Sequence, residues 1–420
     1  MSHASNGPAE RAPGPLGWWA STPLYLRILF GMALGVAVGV VVGPATKPLD
    51  WIAQIVLRIL GALAPMLILV AVVQAIMTAE IRGRLALRIA GLLLVNTTVA
   101  ILVGLGVANL LRPGAGATLP HPKHAPALHS DLVSQLLENV PDSLVKPFVE
   151  NRVLGVVLIA LAFAIACRRL APEPRRLAEQ LVSLGFSTIL EILSWVIALV
   201  PLAVFGKVAS IVGHSGFSPF VALGKFVAAV LLALLLQTIY YLVRIRTGSW
   251  VRPFELLRGS RDALVMAFST GSSTVTMPVT YERLQSRVGL RQESASLGAL
   301  VGSNFNNDGT ALYEAMAALF IAQLIGVELS LTQQLLVIVT SIVASVGAAG
   351  IPEAGLVTMT LVFGAVHLPV EYIALLLTVD WFLDRCRTAI NVIGDMTVAC
   401  LLDGKTRAEP ADSQASVSRV

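Results

Sequence analysis

Residues 379–395 read VDWFLDRCRTAINVIGD, inside a stretch, 371–402, that is otherwise apolar enough for lipid. Three aspartates and two arginines stand there, and each would cost about 2.5–3.5 kcal/mol if left unpaired at the centre of a bilayer. At about 100° per residue, Asp380, Asp384, Arg387, Thr388, Asn391 and Asp395 fall on one face of a helix, while Arg385 lies off it. Two readings fit a polar stripe on an apolar helix: ion pairs that only hold a bundle together, or a site for a ligand and ions. Six members on one stripe, facing Ser- and Gly-rich turns elsewhere in the chain, favour the site.

The rest of the chain sets the stripe in a membrane. Of 420 residues 56% are hydrophobic and 13% charged, roughly half the charged share of a soluble domain. The net charge is +5, but the basic residues cluster between apolar runs instead of lining one face, which excludes nucleic acid as a partner and makes them topology markers. Apolar spans lie near 24–43, 51–78, 86–111, 151–167, 179–212 and 219–243, each long enough for the ~20 residues that cross ~30 Å of hydrocarbon. Arginines fill alternate connections: Arg82, Arg84 and Arg88, then Arg168, Arg169, Arg175 and Arg176, then Arg244, Arg246, Arg252, Arg258 and Arg261. That alternation places the N-terminus in the cytoplasm. Residues 1–23 and 403–420 read as disordered cytoplasmic tails, the first with no cleaved signal peptide. Cys167, Cys386 and Cys400 are too scattered for a disulfide or zinc framework. His121, His124 and His129, in the connection 112–150, have the loose spacing of solvated loop residues and not of a metal site.

After the sixth span the pattern breaks. ALVMAFSTGSSTVTMP, 263–278, is cut by Gly271 and a run of hydroxyls and has arginines on both flanks, so both of its ends belong in the cytoplasm and it is expected to be a re-entrant hairpin. Residues 298–326 make a seventh crossing. The run 335–369 is broken by GAAGIPEAG, and reading it as a second hairpin lets 371–402 exit beside Lys405 and Arg407. The expected architecture is all-α: eight transmembrane helices plus two re-entrant helical hairpins in an inverted repeat, with 24–250 as scaffold and early helices and 251–402 as transport core. The third span is expected to contribute to the transport unit.

The strings STGSSTVTMPVT (269–280), SNFNNDGTALYEAMAALFIAQ (303–323), GAAGIPEAGLVTM (347–359) and DWFLDRCRTAINVIGD (380–395) resemble, in order, the first hairpin, the NMDGT helix, the second hairpin and the last helix of the glutamate transporter family. These are the dicarboxylate/amino acid:cation symporters, which include the excitatory amino acid transporters. The resemblance implies a homotrimer that carries glutamate or aspartate by alternating access, coupled to sodium, with proton co-transport and potassium counter-transport as further options, and with no cofactor. Arg387 would hold the substrate's side-chain carboxylate and Asp384 its ammonium, a residue that dicarboxylate carriers of the family lack. Thr310, Thr388 and Asn391 match other substrate contacts, and Ser272, Ser273, Gly347 and Gly350 would offer hydroxyls and amides from the hairpin tips.

For cations, the resemblance implies one site from Gly302, Asn306, Asn391 and Asp395. A second would take Asn306 and Asp308 with Asn96 and Thr97, and a third would lie near Asn304, Ser345 and Ala348. The chain departs from the family here: Leu93 stands for a tyrosine of the archaeal members, Asn96 and Asn304 for threonines, and Asn307 for the methionine of NMDGT. Glu314, one turn after Thr310 in an apolar stretch, matches the glutamate of proton-coupled members, and a proton would relieve the cost of burying it; a purely structural acid is the alternative. A C4-dicarboxylate or neutral amino acid symporter and a passive channel remain rival functions. An enzyme is not indicated, since no nucleophile–base pair or metal motif is present.

Overall fold

A segment in hydrocarbon must satisfy its backbone amides internally, and the computed structural model, which describes residues 22–78, 83–116, 140–150, 153–347 and 354–407, contains helices and no strand among them. The longer helices are α1 (Leu24–Val42), α2 (Asp50–Thr78), α3 (Gly83–Leu111), α4 (Val153–Arg168), α5 (Pro172–Ile197), α6 (Val200–Ser215) and α7 (Ser218–Gly248). They are followed by α8 (Arg261–Thr270), α9 (Ser273–Arg283), α10 (Asp308–Leu324), α11 (Leu331–Gly347), α12 (Ala354–Ala365) and α13 (Ile373–Asp403). Helical stretches at Leu24–Gln74, Leu87–Leu111, Pro172–Ile197 and Ser218–Gly248 are long and apolar enough to cross a membrane by length and composition. The 31-residue α13 is long enough as well, about 46 Å at 1.5 Å per residue, and it is the helix that carries the charged stripe.

Four expectations need correction. The single span 179–212 is two helices, α5 and α6, because Pro201 at the start of α6 has no N–H to continue the ladder and the chain breaks at Ala198–Leu199. The seventh crossing is also interrupted: a π-helical turn at Leu297–Val301 and a short helix at Gly302–Phe305 end at Asn306 and Asn307, which are unwound before α10 begins at Asp308. Residues 403–407, expected within the C-terminal tail, are packed on the helices. Asp403 is buried, accepting from Arg291 Nε at 3.0 Å and Trp250 Nε1 at 2.7 Å, and Arg407 lies 5.0 Å from the Trp250 ring. Arg244, expected as a loop cation, is inside α7 and half-buried. His121, His124 and His129 lie outside the described residues.

Packing sorts the helices differently from a cut at residue 250. α1, α2, α4, α5 and α6 pack on one another, whereas α3 and α7 pack against α10 and α13, so α7 joins the unit formed by the later elements. The closest packing in the first group is between α1 and α6. Gly31, Gly35 and Gly39 sit one turn apart, and a Cβ built on them would lie 2.5 Å from the Pro201 carbonyl oxygen, 2.8 Å from that of Phe205 and 2.8 Å from that of Ala209. Only hydrogen fits there, so the two backbones touch. The groups meet where α12 lies on α2 and α13 on α6, beside a buried ion pair of Lys207 with Asp50 at 2.9 Å.

Candidate substrate and cation site

The polar stripe of α13 is buried along its whole length: Asp380, Asp384, Arg387, Thr388, Asn391 and Asp395 are all enclosed, and Arg387 is 0% exposed. Arg385, off the stripe, bonds the Trp381 carbonyl at 2.6 Å and lies over the rings of Tyr25 and Trp381. Arg387 Nη2 is 2.8 Å from Asp384 Oδ1 and 3.1 Å from Asp380 Oδ1, and the guanidinium is 4.0 Å from the centre of the Tyr313 ring. Its Nε and Nη1 are buried and make no hydrogen bond among the described residues. The guanidinium is thus fixed by two carboxylates at Nη2 and by a ring face, and its Nε and Nη1, on the two edges either side of Nη2, are each left able to donate to a further carboxylate oxygen.

The turn between α8 and α9 comes to this cluster. Gly271 ends α8 in the left-handed region, φ 64°, and Ser272 caps α9 by accepting from the Val275 amide at 3.2 Å. A Cβ on Gly271 would lie 3.1 Å from Asp384 Oδ2, so the tip seats on that carboxylate. Ser273 donates to the Ser303 carbonyl at 3.1 Å, tying the tip to the helix before the Asn306–Asn307 break. Gly355 of α12 packs on the guanidinium, where a Cβ would be 3.2 Å from Arg387 Nη1 and 3.4 Å from Thr310 Cγ2. Gly347 ends α11, whereas Gly350 and Ala348 lie outside the described residues. Thr388 donates to the Asp384 carbonyl at 2.8 Å.

The unwound pair connects α10 to α13. Asn306 Nδ2 donates to the Asn391 carbonyl at 2.8 Å and to Asp395 Oδ1 at 2.9 Å, while its own Oδ1 is buried without a partner. Gly302 lies against the same carboxylate, since a Cβ there would be 2.5 Å from Asp395 Oδ1. Asn391 Oδ1 accepts from the Gly309 amide at 2.8 Å, and Asn307, the departure from NMDGT, donates to the Ser345 carbonyl at 2.8 Å. Gly302, Asn306, Asn391 and Asp395 therefore converge, and Asp395 forms no ion pair among the described residues. Carboxylate, amide and backbone oxygens of this kind are hard donors suited to a small hard cation.

The other expected cation residues do not form such a cluster. Thr97 donates to Asp308 Oδ1 at 2.6 Å, the Tyr241 hydroxyl donates to Asp308 Oδ2, and Arg244 Nη1 donates to Asn96 Oδ1. Both oxygens of Asp308 and the carbonyl of Asn96 thus already face protein donors. Asn304 is exposed and its Nδ2 folds back onto the Leu300 carbonyl at 3.0 Å. Leu93 packs with Ile89, Val398 and Leu402. Glu314 is 0% exposed and accepts from the Thr358 hydroxyl of α12, with no ion pair to arginine or lysine among the described residues. Tyr313, Tyr241, Arg244 and Gly355 were missed in the sequence. Tyr313, three residues after Thr310, carried a usable signal.

A sequence model described as the sodium:dicarboxylate symporter family matches residues 24–405. Excitatory amino acid transporter 3 of Mus musculus is 35% identical over 249 residues, 58% of this chain and 47% of its own. The proton/glutamate-aspartate symporter of Escherichia coli K12 is 32% identical over 316 residues, 72% of this chain and 71% of its own. A C4-dicarboxylate transport protein of Sphingopyxis alaskensis is 30% identical over 404 residues, 93% of this chain and 90% of its own. The chain spans about half the length of the excitatory amino acid transporters it matches. With the motif helices gathered around Arg387 and the match running through all of them, this multi-pass membrane protein belongs to the sodium:dicarboxylate symporter family, a family of cation-coupled transporters.

Proposed function

We propose that the protein is a secondary active symporter of acidic amino acids, glutamate or aspartate. The observation that carries this reading is the Arg387–Asp384 pair at 2.8 Å with Arg387 Nε and Nη1 unused. An acidic amino acid entering there offers a carboxylate to the unpaired guanidinium donors, with Nη2 joining as Asp384 lets it go, and an ammonium to Asp384, so each charge released from the resting pair finds a partner on the substrate. A C4-dicarboxylate has no cation for Asp384. Thr310, Thr388, Asn391 and the amides and hydroxyls at Ser272, Ser273, Gly347 and Gly350 complete the substrate's polar contacts.

Sodium is co-transported through Gly302, Asn306, Asn391 and Asp395. Glu314 carries a proton into its buried position beside Thr358, and potassium returns in exchange. α3, α7 and the elements after residue 251 move as the transport core against the remaining helices. Eight transmembrane helices and two hairpins, α8–α9 and α11–α12, place both termini in the cytoplasm. The exposed apolar side chains Leu177, Leu181 and Leu184 of α5 support a homotrimer and lipid contact on the scaffold side.

A second reading, C4-dicarboxylate symport, is supported by the 90% coverage of the Sphingopyxis relative. Uptake into proteoliposomes under an imposed sodium gradient decides between them. Aspartate and glutamate should accumulate, succinate and malate should compete at least ~10-fold more weakly, and Arg387→Ala should abolish acidic uptake while admitting small neutral amino acids. Undiminished competition by aspartate in Arg387→Ala refutes the assignment of Arg387, and the absence of gradient-driven accumulation points to a passive channel.

A further inference from the structure

The node around Asp308 has the members of a cation site and the hydrogen-bond polarity of something else. The Tyr241 hydroxyl gives its one proton to Asp308 Oδ2, and the Thr97 hydroxyl lies 2.6 Å from Asp308 Oδ1, its shorter contact, with the Leu93 carbonyl at 3.0 Å as a second acceptor. One residue before Thr97, Asn96 turns its Oδ1 to the Arg244 guanidinium, and because arginine only donates, the atom facing it is the carbonyl oxygen that a metal would need. The guanidinium is held from a second side by the Tyr240 ring, 5.6 Å from its centroid. Asn96 Nδ2, by contrast, is buried without a partner. A sodium ion placed here would meet a donor-saturated carboxylate and a like charge on its nearest amide oxygen.

We infer that Arg244 is a tethered substitute for a dissolved cation: its guanidinium supplies the positive charge at the Asn96–Thr97–Asp308 node, which binds no sodium of its own. Sodium binding in this chain then passes through the Asp395 cluster alone. The inference rests on the cation-coupled reading of that cluster but is read out separately from transport. The half-buried position of Arg244 on α7 lets the side chain be shortened without opening the apolar core, and removing it leaves oxygen atoms around an uncompensated carboxylate, which is the condition for an ion to enter.

The test is equilibrium binding of radioactive sodium to the purified full chain in lipid nanodiscs, without substrate and with choline as the replacing cation. Arg244→Ala and, as a milder variant, Arg244→Gln should each gain about one saturable sodium per chain over wild type, and Arg244→Lys should restore the wild-type number. In the same assay Asp395→Asn, which keeps Arg244, should bind no sodium over the concentrations that saturate wild type. A wild-type number in both Arg244→Ala and Arg244→Gln overturns the inference, and so does sodium binding of wild-type affinity in Asp395→Asn. A gain in the Arg244 variants alongside wild-type protein that accumulates no acidic amino acid would leave the inference standing and remove the proposed function instead.

Discussion

Asp395 and Asp308 are both buried aspartates on the α10–α13 side of the molecule, and their surroundings are opposite in polarity. Asp395 is met by one amide donor, which it shares with the Asn391 carbonyl, and by a glycine backbone, and Asn306 Oδ1 stands nearby without a donor. Asp308 is met by two hydroxyl donors and has a guanidinium on the neighbouring asparagine. A buried carboxylate always needs compensation; what differs is whether the chain supplies it or leaves oxygens for an ion to collect. Residue type therefore does not decide whether an aspartate is a ligand or a structural node. The polarity of the groups facing it does.

Four substitutions probe that contrast, from the largest effect to the smallest. Asp395→Asn should weaken the apparent sodium affinity of uptake by about 30-fold, from the loss of a charged contact of ~2 kcal/mol, while leaving the order of substrate preference unchanged; a wild-type sodium titration would make Asp395 a structural node like Asp308. Glu314→Gln tests a third buried carboxylate, which has a hydroxyl partner and no ion pair among the described residues. Its uptake should lose its dependence on an inward proton gradient and on internal potassium while exchange persists within ~10-fold of wild type, because a charged side chain is replaced by a neutral one of the same shape. A preserved pH profile would make Glu314 a packing residue.

Asp308→Asn should act on stability more than on ions. Losing one of two accepted hydroxyls costs about 1–3 kcal/mol, read as a lower melting temperature in detergent, with the sodium midpoint of uptake moving less than ~3-fold. A sodium shift as large as that of Asp395→Asn would erase the contrast. The smallest effect is expected from Tyr241→Phe, which removes one donor to Asp308 and should lower stability by about 1 kcal/mol; a change in sodium number in this variant would mean that the hydroxyl acts on an ion and not only on the carboxylate.

The part of this site that lies along one helix was legible in the sequence, because the 3.6-residue period fixes which residues of α13 share a face, and all six of the stripe are buried together. The tip at Gly271–Ser272 was legible for a similar local reason: glycine followed by a capping serine ends one helix and starts the next. The Asn306–Asn307 break was passed over although SNFNNDG is rich in residues that compete with helix, because the long apolar run after it dominated the window. Arg244 was hidden by company. Among Arg246, Arg252, Arg258 and Arg261 it read as one more topology marker, and only packing of α7 on α3 reveals that its guanidinium faces Asn96. The same holds for Tyr241 and Gly355, whose roles come from elements distant in the chain. The split of 179–212 carried its signal in Pro201, outweighed by hydropathy.

The α1–α6 contact behaves like a rack with one permitted setting. Gly31, Gly35 and Gly39 repeat every four residues, and so do Pro201, Phe205 and Ala209 opposite them, which is a step of about 6 Å along each axis. A slide shorter than one tooth drives a neighbouring side chain of α1 into a carbonyl of α6, and a slide of a whole tooth leaves one glycine unmatched at the end. A slide of less than one tooth along this seam is therefore resisted, and any travel of the polar cluster across the bilayer falls on the seams between the two groups, where α11 and α12 meet α2, α11 meets α4 and α13 meets α6.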